Sequence, residues 1–142
     1  MRTPKEDCEA LLNAVMPFAQ QMLTKHREFF PFGATMSTAG EISAVAGATG
    51  NEHPESAAII EVLEQGFQES ASSGKLKATA LAVDVRVIPP GKSSKQDAVE
   101  VRLDHRDDYS ARVIFPYSFS ASGQLLLEEP FAVPGDKRVF SK

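Results

Sequence analysis

Ionisable residues recur at every second position in the C-terminal half of the chain. They are Asp84 and Arg86, then Glu100, Arg102 and Asp104 with His105 beside them, and later Arg112. A two-residue period places side chains on one face of an extended strand, so three guanidinium groups and three carboxylates would gather on one surface. The arginine fork suits carboxylate or phosphate, which makes Asp84, Arg86, Glu100, Arg102, Asp104, His105 and Arg112 a candidate binding site for an anionic ligand or a charged partner. The acids already neutralise the arginines, and the competing expectation is a solvated ladder of ion pairs.

Other strings invite chemistry, and their spacing excludes it. In FFPFGATMSTAGEISAV (Phe29 to Val45) six residues separate Gly33 from Gly40, and Glu41 follows; a phosphate loop needs four, then Lys and Ser or Thr. No G-x-S-x-G elbow occurs anywhere. His105-Arg106-Asp107 lacks the Asn of a kinase catalytic loop, since Arg112 stands there, and Gly91-Lys92-Ser93 has Arg86 where a phosphate loop has its first Gly. Ser72 and Lys75 match S-x-x-K at the wrong end of a helix. His26, His53 and His105 are far apart and Cys8 is the only cysteine, so no metal site is expected. Glu128 and Glu129, adjacent in an extended segment, would point to opposite faces. No catalytic set and no cofactor are expected.

The elements that position the charged residues are well marked. Thr3-Pro4-Lys5-Glu6 opens a helix with a cap, a first-turn proline and a capping-box glutamate. Cys8, Leu11, Leu12, Val15, Ala19, Met22 and Leu23 form its apolar stripe, and Pro17 predicts a kink near Asn13. Phe29 to Val45 reads as a hairpin centred on Ala39, pairing Met36 with Ile42, Ala34 with Ala44 and Phe32 with Ala46. Gly40 then takes the left-handed position of a three-residue loop. Pro54, with His53 or a neighbour as a cap, predicts a second helix that buries Ile59, Ile60, Leu63 and Phe67 and stops at Gly74.

Alternating strands follow at Leu76 to Ile88, Ala98 to Asp104 and Tyr109 to Ser120, the last two joined by a tight turn at His105–Asp108. A final segment, QLLLEEPFAV, carries prolines that suit a sheet edge. Matching valine to valine about Ser93 pairs Val87 with Val99 and Val83 with Leu103. It also sets Arg86 opposite Glu100 and Asp84 opposite Arg102 on the other face, within reach of Arg112. Ala78, Ala80 and Ala82 form a stripe of small residues on that second face, open to the C-terminal segment or to a second copy in a homodimer.

The 142 residues, 42% hydrophobic and 24% charged, suit one domain spanning 1–142. A net charge of −4 weighs against nucleic acid and anionic membrane surfaces as partners. The chain shows neither a signal-peptide pattern nor an apolar run of membrane-spanning length, and with one cysteine it is expected to be cytoplasmic.

FFPFGA with its Gly-turned hairpin, AVDVRV, AVEVRLDHRDDYS and FAVPGDKRVF resemble a group of small bacterial proteins of unassigned function. The element order also resembles profilin-like and roadblock-type domains. These likenesses bring no catalytic residues. The expected fold is α+β, with two helices packed on one face of an antiparallel sheet of about six strands in the order α-β-β-α-β-β-β-β. The leading function is a non-catalytic interaction or regulatory protein, immunity-like in kind, with an unknown protein partner. The alternative is a small-molecule sensor with a pocket between the first helix and the sheet, and the third is an enzyme using carboxylates and His105.

Overall fold

The computed structural model describes residues 3–46 and 56–140. Its elements are α1 (Pro4–His26), β1 (Phe32–Ser37), β2 (Ile42–Ala46), α2 (Ser56–Ser72), β3 (Leu76–Val87), β4 (Gln96–His105), β5 (Tyr109–Phe119), β6 (Leu125–Leu127) and β7 (Phe131–Pro134). The strands make one antiparallel sheet in the order β2-β1-β3-β4-β5-β6, with β7 also on β5. This is the expected α+β class with helices against an antiparallel sheet, with one strand more. The final segment breaks at Glu128, Glu129 and Pro130 into β6 and β7.

The first helix starts as its residues dictate. Thr3 Oγ1 accepts the Glu6 N–H, and the Glu6 carboxylate accepts the Thr3 N–H, which satisfies two of the backbone donors a helix start leaves unpaired. Arg27 closes the other end in the left-handed region at φ 63°. Pro17 lies on the exposed side and the helix runs through it unbroken. Asn13, whose carbonyl Pro17 leaves without an N–H partner, is also exposed, so that oxygen can turn to water.

The β1–β2 hairpin has the expected register: Met36 faces Ile42, Ala34 faces Ala44 and Phe32 faces Ala46. Gly40 sits at φ 90°. The end of α2 is also as expected, with Gly74 at φ 77° and its N–H on the Ala71 carbonyl. The expected start of that helix at His53 and Pro54 lies outside the described residues.

The placement of both helices on one face is corrected. Beneath α1 lie Ala34, Met36, Ala78, Ala80, Ala82, Val99, Val101 and Leu103, whereas α2 packs on Leu81 and Val83. Neighbouring residues of β3 point to opposite faces, so the two helices sandwich the sheet. β4 and β5 face as expected, but β3 is turned over. Ala82 pairs with Val101 and Arg86 with Asp97, a slip of three residues from the valine-to-valine register. An odd slip exchanges every side chain between faces.

The alanine stripe is therefore core. Ala78, Ala80 and Ala82 are all 0% exposed, because small side chains let α1 seat close to the sheet. The chain's own first helix covers that stripe, so a homodimer through it is ruled out. On the opposite face, Phe67 of α2 lies so close to Gly33 that a Cβ there would come within 2.7 Å of its ring. Val139 of the C-terminal segment completes this smaller core.

Candidate functional site

The charged residues divide between two places. On the α2 face Glu100, Arg102, Asp104 and Arg112 come together as the alternation predicts. Glu100, 6% exposed, receives Arg102 Nε at 2.8 Å and Arg112 Nη1 at 3.6 Å. Arg102 also lies 4.0 Å from Glu64 of α2, and Glu64 lies 3.9 Å from Arg138, which approaches Asp136 at 3.6 Å. Asp104 accepts the Ser110 hydroxyl at 2.7 Å. Burial raises its carboxyl above the ordinary 3.8, Ser110 works against that, and the Asp136 charge adds to it.

Glu64, Ser110, Asp136 and Arg138 are the residues that sequence reasoning missed. They belong to α2, β5 and the C-terminal segment, and no spacing links them. Together the network ties that segment to the sheet. Gly135 N–H bonds the Ser110 carbonyl, Arg112 Nε bonds the Pro134 carbonyl and Gln68 bonds the Arg138 carbonyl. The cavity left among them is about 20 Å³, room for about one water. Its chemistry is that of an ionic clasp.

Asp84, Arg86 and His105 lie on the α1 face, apart from this network. Asp84 accepts the Tyr117 hydroxyl at 2.7 Å. Burial raises its carboxyl, and the same contact pushes the phenol up, burial again acting first. Arg86, 68% exposed at its side chain, lies 3.5 Å from Asp97.

His105 is buried at the end of β4. Asp107 N–H donates to its Nδ1 at 3.0 Å, so Nε2 carries the ring hydrogen and donates to Asp7 Oδ2 at 2.9 Å. Lys77 Nζ approaches the same oxygen at 3.4 Å. Burial opposes ionisation of Asp7, but His105 and Lys77 more than offset it and hold the carboxyl below 3.8. This arrangement orients the ring and pins the start of α1. Cys8, next in sequence, is buried, and its thiol is pushed up to about 12, first by burial, as a packed side chain should be.

A different surface stands out at the β2 edge. Ser37 N–H bonds the Glu41 carbonyl at 2.8 Å. Hydrogen-bonded pairs alternate along an antiparallel ladder, so Ser43 and Val45 turn their backbone groups toward β1. Ile42, Ala44 and Ala46 turn theirs outward. Among the described residues, Ile42 to Ala46 carry no charge, proline or bulge, the usual devices on an open strand.

Beside it runs a groove of about 290 Å³ lined by Ala14, Val15, Phe18, Phe32, Ile42 and Ala44. Phe18 is 46% exposed and Ile42 40%. Phe18 stacks edge-on against Phe32 at 4.8 Å between ring centres, which holds it at the groove's rim. The uncharged string ISAVA was the available signal for this surface, but its exposure depends on strand order, which the string does not carry.

Among the described residues no three His, Cys, Asp or Glu side chains converge as a metal would need, and no helix is long and apolar enough to cross a membrane. Comparison with protein-family models, curated proteins and solved structures gave no match.

Proposed function

We propose that this chain is a non-catalytic interaction protein that takes an extended segment of a partner onto strand β2. One observation carries the reading: an uncharged edge strand presents outward N–H and carbonyl groups beside an apolar groove. Strand addition uses those two features together, with backbone hydrogen bonds for affinity and a groove for alternate side chains. Each hydrogen bond contributes about 1 kcal/mol net, so burial of Phe18 and Ile42 must supply much of the rest. The arginines on the α2 face have acidic partners and serve to hold the C-terminal segment. Cys8, with its packed and unreactive thiol, suits a reducing compartment such as the cytoplasm.

A second reading uses the same groove for a small apolar molecule. It is favoured by the volume, near the lower end of ligand pockets, and by the location between α1 and the sheet. One pair of variants separates the two. Ala44→Pro removes an outward N–H and leaves the pairing with β1, a substitution edge strands tolerate; Phe18→Ala empties the groove's rim. A labelled peptide spanning Glu41–Ala46, with terminal lysines for solubility, serves as the strand probe, and anilinonaphthalene sulfonate as the small apolar one. Strand addition predicts peptide binding that Ala44→Pro lowers at least about tenfold. Dye binding lost in Phe18→Ala, with no peptide binding to wild type, would replace strand addition by the small-molecule reading.

A further inference from the structure

We infer that the partner strand is β2 of a second copy, paired antiparallel about a two-fold axis at Ala44. The inference rests on the strand-addition reading and names its occupant.

Self-pairing satisfies this edge completely. With Ala44 opposite its own counterpart, Ile42 meets Ala46 of the other copy and Ser43 meets Val45. Ile42, Ala44 and Ala46 carry the outward backbone groups, so each of these opposed pairs exchanges both hydrogen bonds and no outward group is left over. The side chains agree. Ile42, Ala44 and Ala46 share the α1 face, so a large residue falls beside a small one and the smallest pair sits on the axis. A two-fold axis perpendicular to the sheet brings the two α1-side grooves together, and each Phe18 faces the other copy's groove.

Charge points the same way. Each chain carries a formal −4, which opposes self-association in general, so copies meet at least cost where the surface adds no local like-charge contact. Ile42 to Ala46 contains no ionisable residue. The groove lining, too, is wholly uncharged.

The far edge of the sheet explains why assembly would stop at two. There β6 has three residues and β7 four, separated by Glu128, Glu129 and Pro130. Gly135 N–H bonds Ser110, so by alternation Pro134 faces outward, where it has no N–H to offer. One edge left unpaired by the described strands and one blocked edge give a closed pair.

The test is the solution mass of the full chain by sedimentation equilibrium from about 1 to 100 µM. The expected result is twice the 15.4 kDa chain mass for wild type and the single mass for Ala44→Pro and Ile42→Lys, with far-ultraviolet circular dichroism unchanged. Ile42→Lys keeps the test decisive should the proline variant fold poorly. Register is read separately. Residues facing each other in a hydrogen-bonded pair lie about 5.5 Å apart at Cα, within disulfide reach, so Ala44→Cys should cross-link on oxidation and Ser43→Cys should not. A wild-type monomer at 100 µM overturns the inference, as does a dimer that survives both edge variants. If the monomer still binds the Glu41–Ala46 peptide in an Ala44-dependent way, strand addition stands with another protein as donor. If it does not bind, both readings fall.

Discussion

On the α1 side of the sheet Ala78, Ala80 and Ala82 lie fully buried beneath a helix, and Val99, Val101 and Leu103 continue the same dry layer. On the α2 side of the same strands the apolar layer stops at Leu81 and Val83, and Glu100, Arg102, Asp104 and Arg112 take over. The difference lies in what covers each half. A 23-residue helix reaches across β1, β3 and β4 and needs small residues to settle on. The shorter α2 covers only the β1–β3 half, and the C-terminal segment covers the other half through ions and hydrogen bonds. One sheet thus carries a face selected for volume and a face selected for charge pairing.

The largest effect should come from breaking the volume rule. Ala80→Leu forces extra methylenes beneath α1 and should cost about 3 kcal/mol, read by urea denaturation. A loss below about 1 kcal/mol would show that α1 does not seat closely. On the ionic face Glu100→Gln leaves Arg102 and Arg112 without their shared charge and should cost about 1–2 kcal/mol. Adding salt should weaken wild type more than the variant.

A pH comparison sharpens the contrast further. Asp7 on the α1 side has its carboxyl lowered, so its contribution is present above 3.8 and fades as pH falls through the lower folded value. Asp104 on the α2 side is raised, so its ionised form costs stability above the folded value, and the cost disappears below 3.8. The deficit of Asp7→Asn should therefore shrink only at pH below about 4. Relative to wild type, Asp104→Asn should instead lose ground as pH is lowered from neutral toward 4. Melting temperature against pH checks both, and parallel curves for the two variants would refute the assignment. The smallest effect is expected for Arg86→Ala, whose exposed pair with Asp97 should contribute no more than about 0.5 kcal/mol; a larger loss would return Arg86 to the network.

How much was legible in the sequence follows the turns. Where a loop is tight, local chemistry constrains pairing: Gly40 sets the β1–β2 register, and the His105–Asp108 turn makes β4 and β5 neighbours with Arg112 on the face of Glu100 and Asp104. The residue-by-residue register of β4 and β5 comes only from the structure. Between Val87 and Gln96 the loop is long and sets nothing, so in the sequence only side-chain matching aligns β3. Valine-to-valine matching holds for a sheet with one apolar face, and this sheet has two. Alternation shows that neighbouring residues face differently, and it cannot tell an alanine row under a helix from one open to solvent. Half of the charged cluster was legible for the same reason, because Glu100, Arg102, Asp104 and Arg112 lie on the correctly paired strands. Glu64 and Arg138 join it only through tertiary packing, and the β2 edge is an edge only because β3 pairs on the other side of β1.

The tie between Asp7 and His105 spans 98 residues, and most of the surface that α1 covers lies on β3 and β4. A growing chain therefore makes its longest helix well before it makes that helix's seat. At ribosomal rates of 5–20 residues per second, the roughly 80 residues separating them imply a wait on the order of ten seconds. Through that interval Leu11, Val15, Ala19 and Leu23 form a greasy stripe with little of its seat yet made. During synthesis that uncovered stripe is surface on which a holding chaperone can act.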